Sequence, residues 1–264
     1  MSSGSSLSSA DELLKYRLNA RYGATPVLRE VEGRLAAGEI AALVGLSGSG
    51  KSTLALALQR LLHYRGGRVD GSIVLEGTEL MGLSESAMRS IRGRRIGYVP
   101  QSPGTALNPK LRVRTLIDET WSAHARGRMD DAARQTLLER VQLPGTGAFL
   151  DQRAGELSTG QGQRLLIALA ILHGPALLIA DEPTSALDAI TQAAVLRLFA
   201  ELNRELGTAI LFISHDLLSV ASIAHRVDIL HEGSVVESGP PGRIFGEPVH
   251  PFTRDLVDAM PKRP

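Results

Sequence analysis

Gly45-Leu46-Ser47-Gly48-Ser49-Gly50-Lys51-Ser52 lies between a short apolar run, Ala41-Ala42-Leu43-Val44, and a leucine-alanine run from Ser52 to Gln59. The octet is a glycine, four free positions and then Gly-Lys-Ser, with an extra glycine at 48. A loop of that pattern wraps phosphate, and it requires a strand before it and a helix after it. The two flanking runs read as that strand and that helix. The glycines let backbone N–H groups turn inward around an anion, and the positive end of the following helix adds to the attraction. Lys51 then supplies a point charge for the outer phosphates, and Ser52 a hydroxyl for a magnesium ion.

Composition narrows what can be built around that loop. The chain has 264 residues, 43% hydrophobic, enough for one large domain or a domain with a subdomain. Its 29 basic and 28 acidic side chains leave a formal charge of +1, so no overall field draws nucleic acid or anionic lipid. The absence of cysteine excludes disulfides, thiol catalysis, iron–sulfur clusters and cysteine-held zinc. The most apolar window, Leu165 to Ala180, is cut by His173, Gly174 and Pro175 and falls short of the ~20 residues of a membrane helix. The opening Met1-Ser2-Ser3-Gly4-Ser5-Ser6 has neither the basic start nor the apolar run of a secretion signal and reads as a flexible tail.

Upstream of the loop, Lys15 to Val31 carries strand-type residues broken by Gly23 and Pro26, which predicts two short antiparallel strands, with Tyr22 among them. Downstream, a strand is expected over Gly71–Gly77, a polar helix over Ser84–Arg92, and a strand over Ile96–Pro100 with Gln101 just past its end. Arg89, Arg92, Arg94 and Arg95 lack interleaved aromatics and read as a solvated face. From Val113 to Val141 the spacing turns helical, through Leu116, Ile117, Trp121, Leu137 and Leu138, up to a turn at Pro144–Gly147.

Ser158, with Gln161 three residues on, forms a capping box, so a helix starts there with a free N-terminus suited to phosphate. Ala176–Ala180 then reads as a strand buried on both faces, ending in Asp181-Glu182-Pro183. Acids at that edge of a parallel sheet can hold magnesium and orient water. Ile190, Ala194, Leu198 and Leu202 mark an amphipathic helix before a second buried strand, Ala209–Ile213, which places His215 at its end. A hairpin turning at Glu232-Gly233 and a tail helix with Phe252, Leu256, Val257 and Met260 on one face complete the chain.

In that order these marks resemble the nucleotide-binding subunits of ABC transporters, from about residue 14 onward. The resemblance implies an α/β phosphate-loop NTPase fold with a mostly parallel sheet, an antiparallel layer on its N-terminal side and an inserted helical subdomain. It implies a tail over 1–13, one ATPase domain over 14–264, the helical insert at about 105–172 and a C-terminal docking segment at about 240–264. Gly45–Ser52 looks like the Walker A motif, Leu177–Asp181 the Walker B strand, Glu182 the catalytic carboxylate, Gln101 the Q-loop glutamine and His215 the switch histidine. Leu157–Gln161 looks like the signature and Ser185–Asp188 the D-loop. Tyr22 is placed like the aromatic that stacks on adenine, with Tyr16 a second candidate.

On this reading ATP and Mg2+ are the cofactors, and Lys51, Gln101, Glu182 and His215 serve the chemistry. Gly45, Ser47, Gly48, Ser49, Gly50, Lys51, Ser52 and Thr53 hold nucleotide, and Ser52, Gln101 and Asp181 hold the metal. Ser158, Gly160, Gln161 and Asp188 face the nucleotide of a second ATPase subunit, a non-identical homologue. The family usually has glycine where this signature has Thr159, which adds bulk at a backbone–phosphate contact.

Gln101-Ser102-Pro103, Ala106-Leu107-Asn108-Pro109 and His250-Pro251-Phe252-Thr253-Arg254 resemble the importer branch for peptides, nickel and opine-type metallophores. Its members work with two membrane-embedded permeases on the cytoplasmic face of the inner membrane, and indirectly with an extracytoplasmic binding protein, not with nucleic acid. The lack of a cysteine-bearing C-terminal extension points toward the shorter nickel or metal-chelate type. The competing expectations are an exporter motor and a soluble ABC ATPase acting on nucleic acid or ribosomes. The latter usually carries paired cassettes or a long coiled coil, and neither stands in this sequence.

Overall fold

The structure is a computed structural model that describes residues 12–260. The hairpin β1 (Glu12–Tyr22) and β2 (Thr25–Ala36) leads into β3 (Ile40–Val44), the phosphate loop and α1 (Lys51–Leu58). Next come β4 (Gly67–Leu75), β5 (Thr78–Glu79), α2 (Glu85–Ile91) and β6 (Ile96–Val99). A helical stretch follows: α3 (Pro103–Ala106), α4 (Val113–Ser122), α5 (Asp131–Arg140), α6 (Gly147–Asp151) and α7 (Thr159–Ile171). The chain then returns through β7 (Leu177–Asp181), α8 (Ala189–Leu206), β8 (Ala209–Ser214) and α9 (Leu217–Ala221). It ends with β9 (Arg226–His231), β10 (Ser234–Gly239), α10 (Pro241–Gly246) and α11 (Pro251–Asp258).

A six-stranded sheet in the order β10-β9-β3-β8-β7-β6 forms the centre, parallel except for β10. Every residue of β3, β7 and β8 is buried, because both faces are covered, and this explains their uninterrupted apolar runs. Alternate side chains serve opposite cores. Ile40, Ala42, Val44, Leu178, Ala180, Ile210 and Phe212 pack toward α4–α8, whereas Ala41, Leu43, Leu177, Ile179, Leu211 and Ile213 pack toward α1 and the antiparallel sheet. That second sheet, β2-β1-β4-β5, alternates cleanly along β1, with Leu14, Tyr16, Leu18 and Ala20 inward and Lys15, Arg17 and Asn19 outward.

The architecture is the expected one, with differences in detail that have local causes. The N-terminal strands are long, 11 and 12 residues, not short. Gly23, at φ 57°, makes the turn between them, and Pro26 lies in β2 at the sheet edge, where its missing N–H is tolerated. β1 takes in Glu12 and Leu13, which the sequence reading put in the tail; the remainder of that tail, with Met1–Ser6, lies outside the described residues. The Val113–Val141 run is two helices, parted where Trp121 Nε1 donates to Gly127 O at 3.2 Å and where Asp130 caps α5.

Arg92 departs from the solvated face expected of its neighbours. Its guanidinium is half-buried, donating to Glu85 Oε1 at 2.6 Å and to the carbonyls of Gln59 and Arg60, and this hold brings the Glu85 carboxyl down to about 2. It braces α2 against the end of α1, while Arg89, Arg94 and Arg95 stay exposed.

Two close approaches fix α7. A Cβ on Gly97 of β6 would strike Ala170 O, and a Cβ on Gly162 would lie 2.9 Å from Pro103 Cβ. Near the C-terminus, Glu237 accepts from Val249 N and His250 N at 2.9 and 3.0 Å, and Phe252 stacks on His231 with centroids 3.8 Å apart.

At the centre of the helical-side core, Phe199 of α8 meets Phe212 of β8 edge-to-face at 5.1 Å and 85°, both fully buried. Phe212→Ala is expected to cost about 3–5 kcal/mol of stability, read as a lowered midpoint in urea unfolding.

Candidate active site

Parallel strands end on one edge of a sheet, and there the side chains expected to be functional gather. β3 delivers the phosphate loop, β7 delivers Asp181 and Glu182, β8 delivers His215 and β6 delivers Gln101. In the loop, Gly48 and Gly50 take left-handed φ of 84° and 108°, and a Cβ at Gly50 would stand 2.7 Å from Leu28 Cδ2. Glycine at 50 is therefore needed for the turn, and it lets β2 approach closely.

Glu182 is the hub. Its carboxylate lies 3.7 Å from Lys51 Nζ, 3.2 Å from Gln101 Nε2 and 3.2 Å from His215 Nδ1. Its backbone sits at φ 47°, a left-handed conformation that costs a non-glycine residue on the order of 1–3 kcal/mol. The amide is held there by donating to Ile213 O at 2.9 Å. Lys51 is 4% exposed and also donates to the loop carbonyls of Gly45 and Leu46, at 2.9 and 3.0 Å. Gln101 Nε2 further reaches Ser185 Oγ at 3.4 Å.

Asp181, 5% exposed, accepts from Ser52 Oγ at 3.1 Å and from Tyr98 Oη at 3.3 Å. Burial pushes its carboxyl above the usual range, and the Ser52 and Tyr98 hydroxyls pull it part of the way back. The Tyr98 phenol is pushed up in turn, by burial first and then by the Asp181 charge.

A cavity of about 280 Å³ is lined by Ser47, Gly48, Gly50, Lys51, Ser52, Thr53, Gln101 and Glu182, together with Val27 of β2. Ser49, at the same loop, is buried, and among the described residues its hydroxyl has no partner. Tyr22 is half-buried at the hairpin end, paired with Thr25 and packed against Gly67, close in sequence to the lining residue Val27. Tyr16 is not available to a base: it is 5% exposed, with its ring over Gly33.

The remaining predicted residues sit apart from Lys51. Ser158 caps α7 by accepting from Gln161 N at 3.2 Å, and Gln161 Oε1 accepts from Ser158 N at 3.0 Å, so the capping box is present. Thr159 is exposed at the first helical position, and Gly160 abuts Thr191 of α8. Asp188 caps α8 through the amides of Ile190 and Thr191, and bonds from Thr191 hold its carboxyl below the usual range. Ser158 and Thr159 line a groove of about 400 Å³ with Pro103, Leu107 and Ala186, a different cavity from that of Lys51. Tyr98 was not singled out in the sequence, where an aromatic inside a strand reads as core.

The family model described as ABC transporter matches residues 28–185, more than half of the chain. The chain belongs to the ABC transporter family. A putative peptide import ATP-binding protein of Brucella abortus is 42% identical over 88% of this chain and 70% of its own length. The oligopeptide transport ATP-binding protein OppD of Bacillus subtilis is 40% identical over 90% of this chain and 68% of its own. Among solved structures, cbiO1 of Clostridium perfringens, part of an ABC transporter complex, overlays with a TM-score of 0.77 at 28% identity, covering 90% of this chain and 92% of that one. The dimeric ATP-binding cassette MJ0796, in a post-hydrolysis state with ADP and Pi, overlays at 0.73 and 26% identity, covering 86% and 98%. This ABC ATPase has its phosphate loop, acidic pair and histidine on one sheet edge, as the chemistry of phosphoryl transfer to water needs.

Glu182→Gln keeps the loop and Lys51 intact but removes the carboxylate expected to serve as base. The variant is expected to bind ATP as the parent does and to turn over 10²–10⁴-fold more slowly, on the order of a positioned base's contribution; wild-type steady-state ATPase activity would sink the assignment.

Proposed function

We propose that this ABC ATPase powers the import of peptides, through two membrane-embedded permeases, from the cytoplasmic face of the cell membrane. The observation that carries its chemistry is the convergence of Lys51, Gln101 and His215 on Glu182 within 3.2–3.7 Å. Glu182 polarises the attacking water, Lys51 offsets phosphate charge, and His215 and Gln101 hold the Glu182 carboxylate in place and contact the outer phosphate. Among the described residues no group of three or more His, Asp and Glu could hold a metal by itself. Ser52 and Asp181 instead offer a hydroxyl and a carboxylate, with Gln101 at the rim, the sparse hard-oxygen set that suits a magnesium ion taking further ligands from phosphates and water. When bound, that ion neutralises phosphate charge. Tyr22 is the proposed adenine contact.

Peptide is favoured over nickel or a metal chelate because the relatives above carry peptide in their names. The chain spans about 70% of those relatives, so a missing cysteine-bearing extension does not separate the cargo types. Among the described residues no helix is long and apolar enough to cross a membrane, and the permeases supply the path. In proteoliposomes holding the cognate permeases, ATPase activity is expected to rise with peptide-loaded binding protein. A rise with nickel chelate alone would overturn the cargo assignment.

The second ATPase subunit is proposed to be a non-identical homologue. Ser158 and Thr159 do not line the cavity of Lys51, which supports a signature serving the nucleotide of the partner. Thr159 adds a side chain at the free end of α7, so it should weaken the partner's site and not this chain's own. Thr159→Gly is therefore expected to stimulate mixed-subunit ATPase activity only when the partner's Walker A lysine is intact. Dependence on Lys51 of the same chain would reject the trans arrangement.

A further inference from the structure

β6 serves both members of the acidic pair. Gln101, beyond its carboxyl end, donates to Glu182, and Tyr98, within the strand, donates to Asp181. The parallel register pairs Tyr98 with Ile179, two residues before Asp181 on β7, and the phenol spans that offset so that its hydroxyl ends beside Oδ2. The other oxygen, Oδ1, is held by Ser52 Oγ. A carboxylate this buried needs its lone pairs satisfied, and here one hydroxyl stands on each oxygen, which fixes the plane of the group. The two hydroxyls are not equivalent. Ser52 opens α1 next to the phosphate loop and is itself a candidate ligand, so turning it toward an ion releases Oδ1. Tyr98 lines no part of the phosphate cavity, its ring packs against the core on the α1 side, and among the described residues Asp181 is the hydrogen-bond partner of its hydroxyl.

We propose that Tyr98 is a positioning residue for the metal-holding carboxylate: its hydroxyl retains Asp181 Oδ2, so that Oδ1 is the oxygen presented toward Ser52 and the ion. This rests on the reading of Asp181 and Ser52 as the ion's ligands. Partners that orient a ligating carboxylate typically contribute 10–100-fold to metal affinity. Tyr98 therefore acts on the metal and not on the nucleotide, and the two can be separated.

The probe is Mn2+, titrated by electron paramagnetic resonance into the chain saturated with the non-hydrolysable analogue AMP-PNP. Tyr98→Phe keeps the ring and removes the hydroxyl; it is expected to weaken Mn2+ binding on the order of 10-fold. Its nucleotide affinity in EDTA should stay at the parent's value, and its melting temperature should fall by less than that of Tyr98→Leu. In turnover the Mg2+ requirement should rise while kcat at saturating Mg2+ is retained. Tyr98→Leu, which also removes the ring, should lower the melting temperature without weakening Mn2+ much beyond the Phe variant. Mn2+ affinity lost in the Leu variant but kept in the Phe variant would mean packing alone and overturn the proposal. Ser52→Ala and Asp181→Asn test the underlying reading. If they lose Mn2+ and Tyr98→Phe does not, only the role of Tyr98 falls; if all of them bind Mn2+ as the parent does, the ligand assignment falls and takes this inference with it.

Discussion

The parallel register of β3, β8, β7 and β6 is the constraint on which the rest of the molecule depends. Because these strands run the same way, the residues just beyond them must emerge on one edge, although they come from positions as far apart as Lys51 and His215. Each crossover between parallel strands has to pass over a face of the sheet, and the helices that do so bury both faces. The apolar monotony of β3, β7 and β8 and the polarity of the residues at their carboxyl ends thus have one origin. Along β3, β7 and β8 the side chains are apolar up to the carboxyl ends, and at that edge polar groups find one another.

At that edge charge is concentrated under partial burial, and each group is stable only through its neighbours. Asp181 has its two hydroxyls, and Glu182 has Lys51, Gln101 and His215. Removing one partner leaves another group buried and underpaired, which costs more than the contact itself contributes. Glu182 adds a strained backbone, held by the ladder bond to Ile213 O. Local strain of this kind survives because the sheet around it is rigid. Lys51 Nζ lies 3.7 Å from Glu182, so an anion that took up this ammonium would do so in competition with the carboxylate.

Much of this was legible in the sequence, for a physical reason: the phosphate loop, the acidic pair and the buried strands are local patterns in which backbone requirement and residue type coincide. Gly50 is an example, since its φ of 108° favours glycine. The capping box at Ser158 and Gln161 was also readable, since it closes within one turn. The features that escaped depend on register between distant segments. Tyr98 reads as a core aromatic until β6 is aligned with β7. Arg92 reads as one of a solvated run until α2 is packed beside the end of α1, where the carbonyls of Gln59 and Arg60 await a donor. Tyr16 and Tyr22 fall on the same face of β1, but Tyr16 lies mid-strand and is buried, whereas Tyr22 stands at the hairpin end and stays half-open.

The two close approaches along α7 have a mechanical meaning. Gly97 seats the C-terminal half of the helix on β6, and Gly162 seats its N-terminal half on Pro103, just past Gln101. A helix of 13 residues, about 20 Å long, is thereby held at both ends against one continuous stretch of chain that includes Gln101. A pivot of the helix about either end would have to break one of these two contacts. The two contacts make α7 a single stiff rod that ties the chain around Gln101 to the Ser158 end.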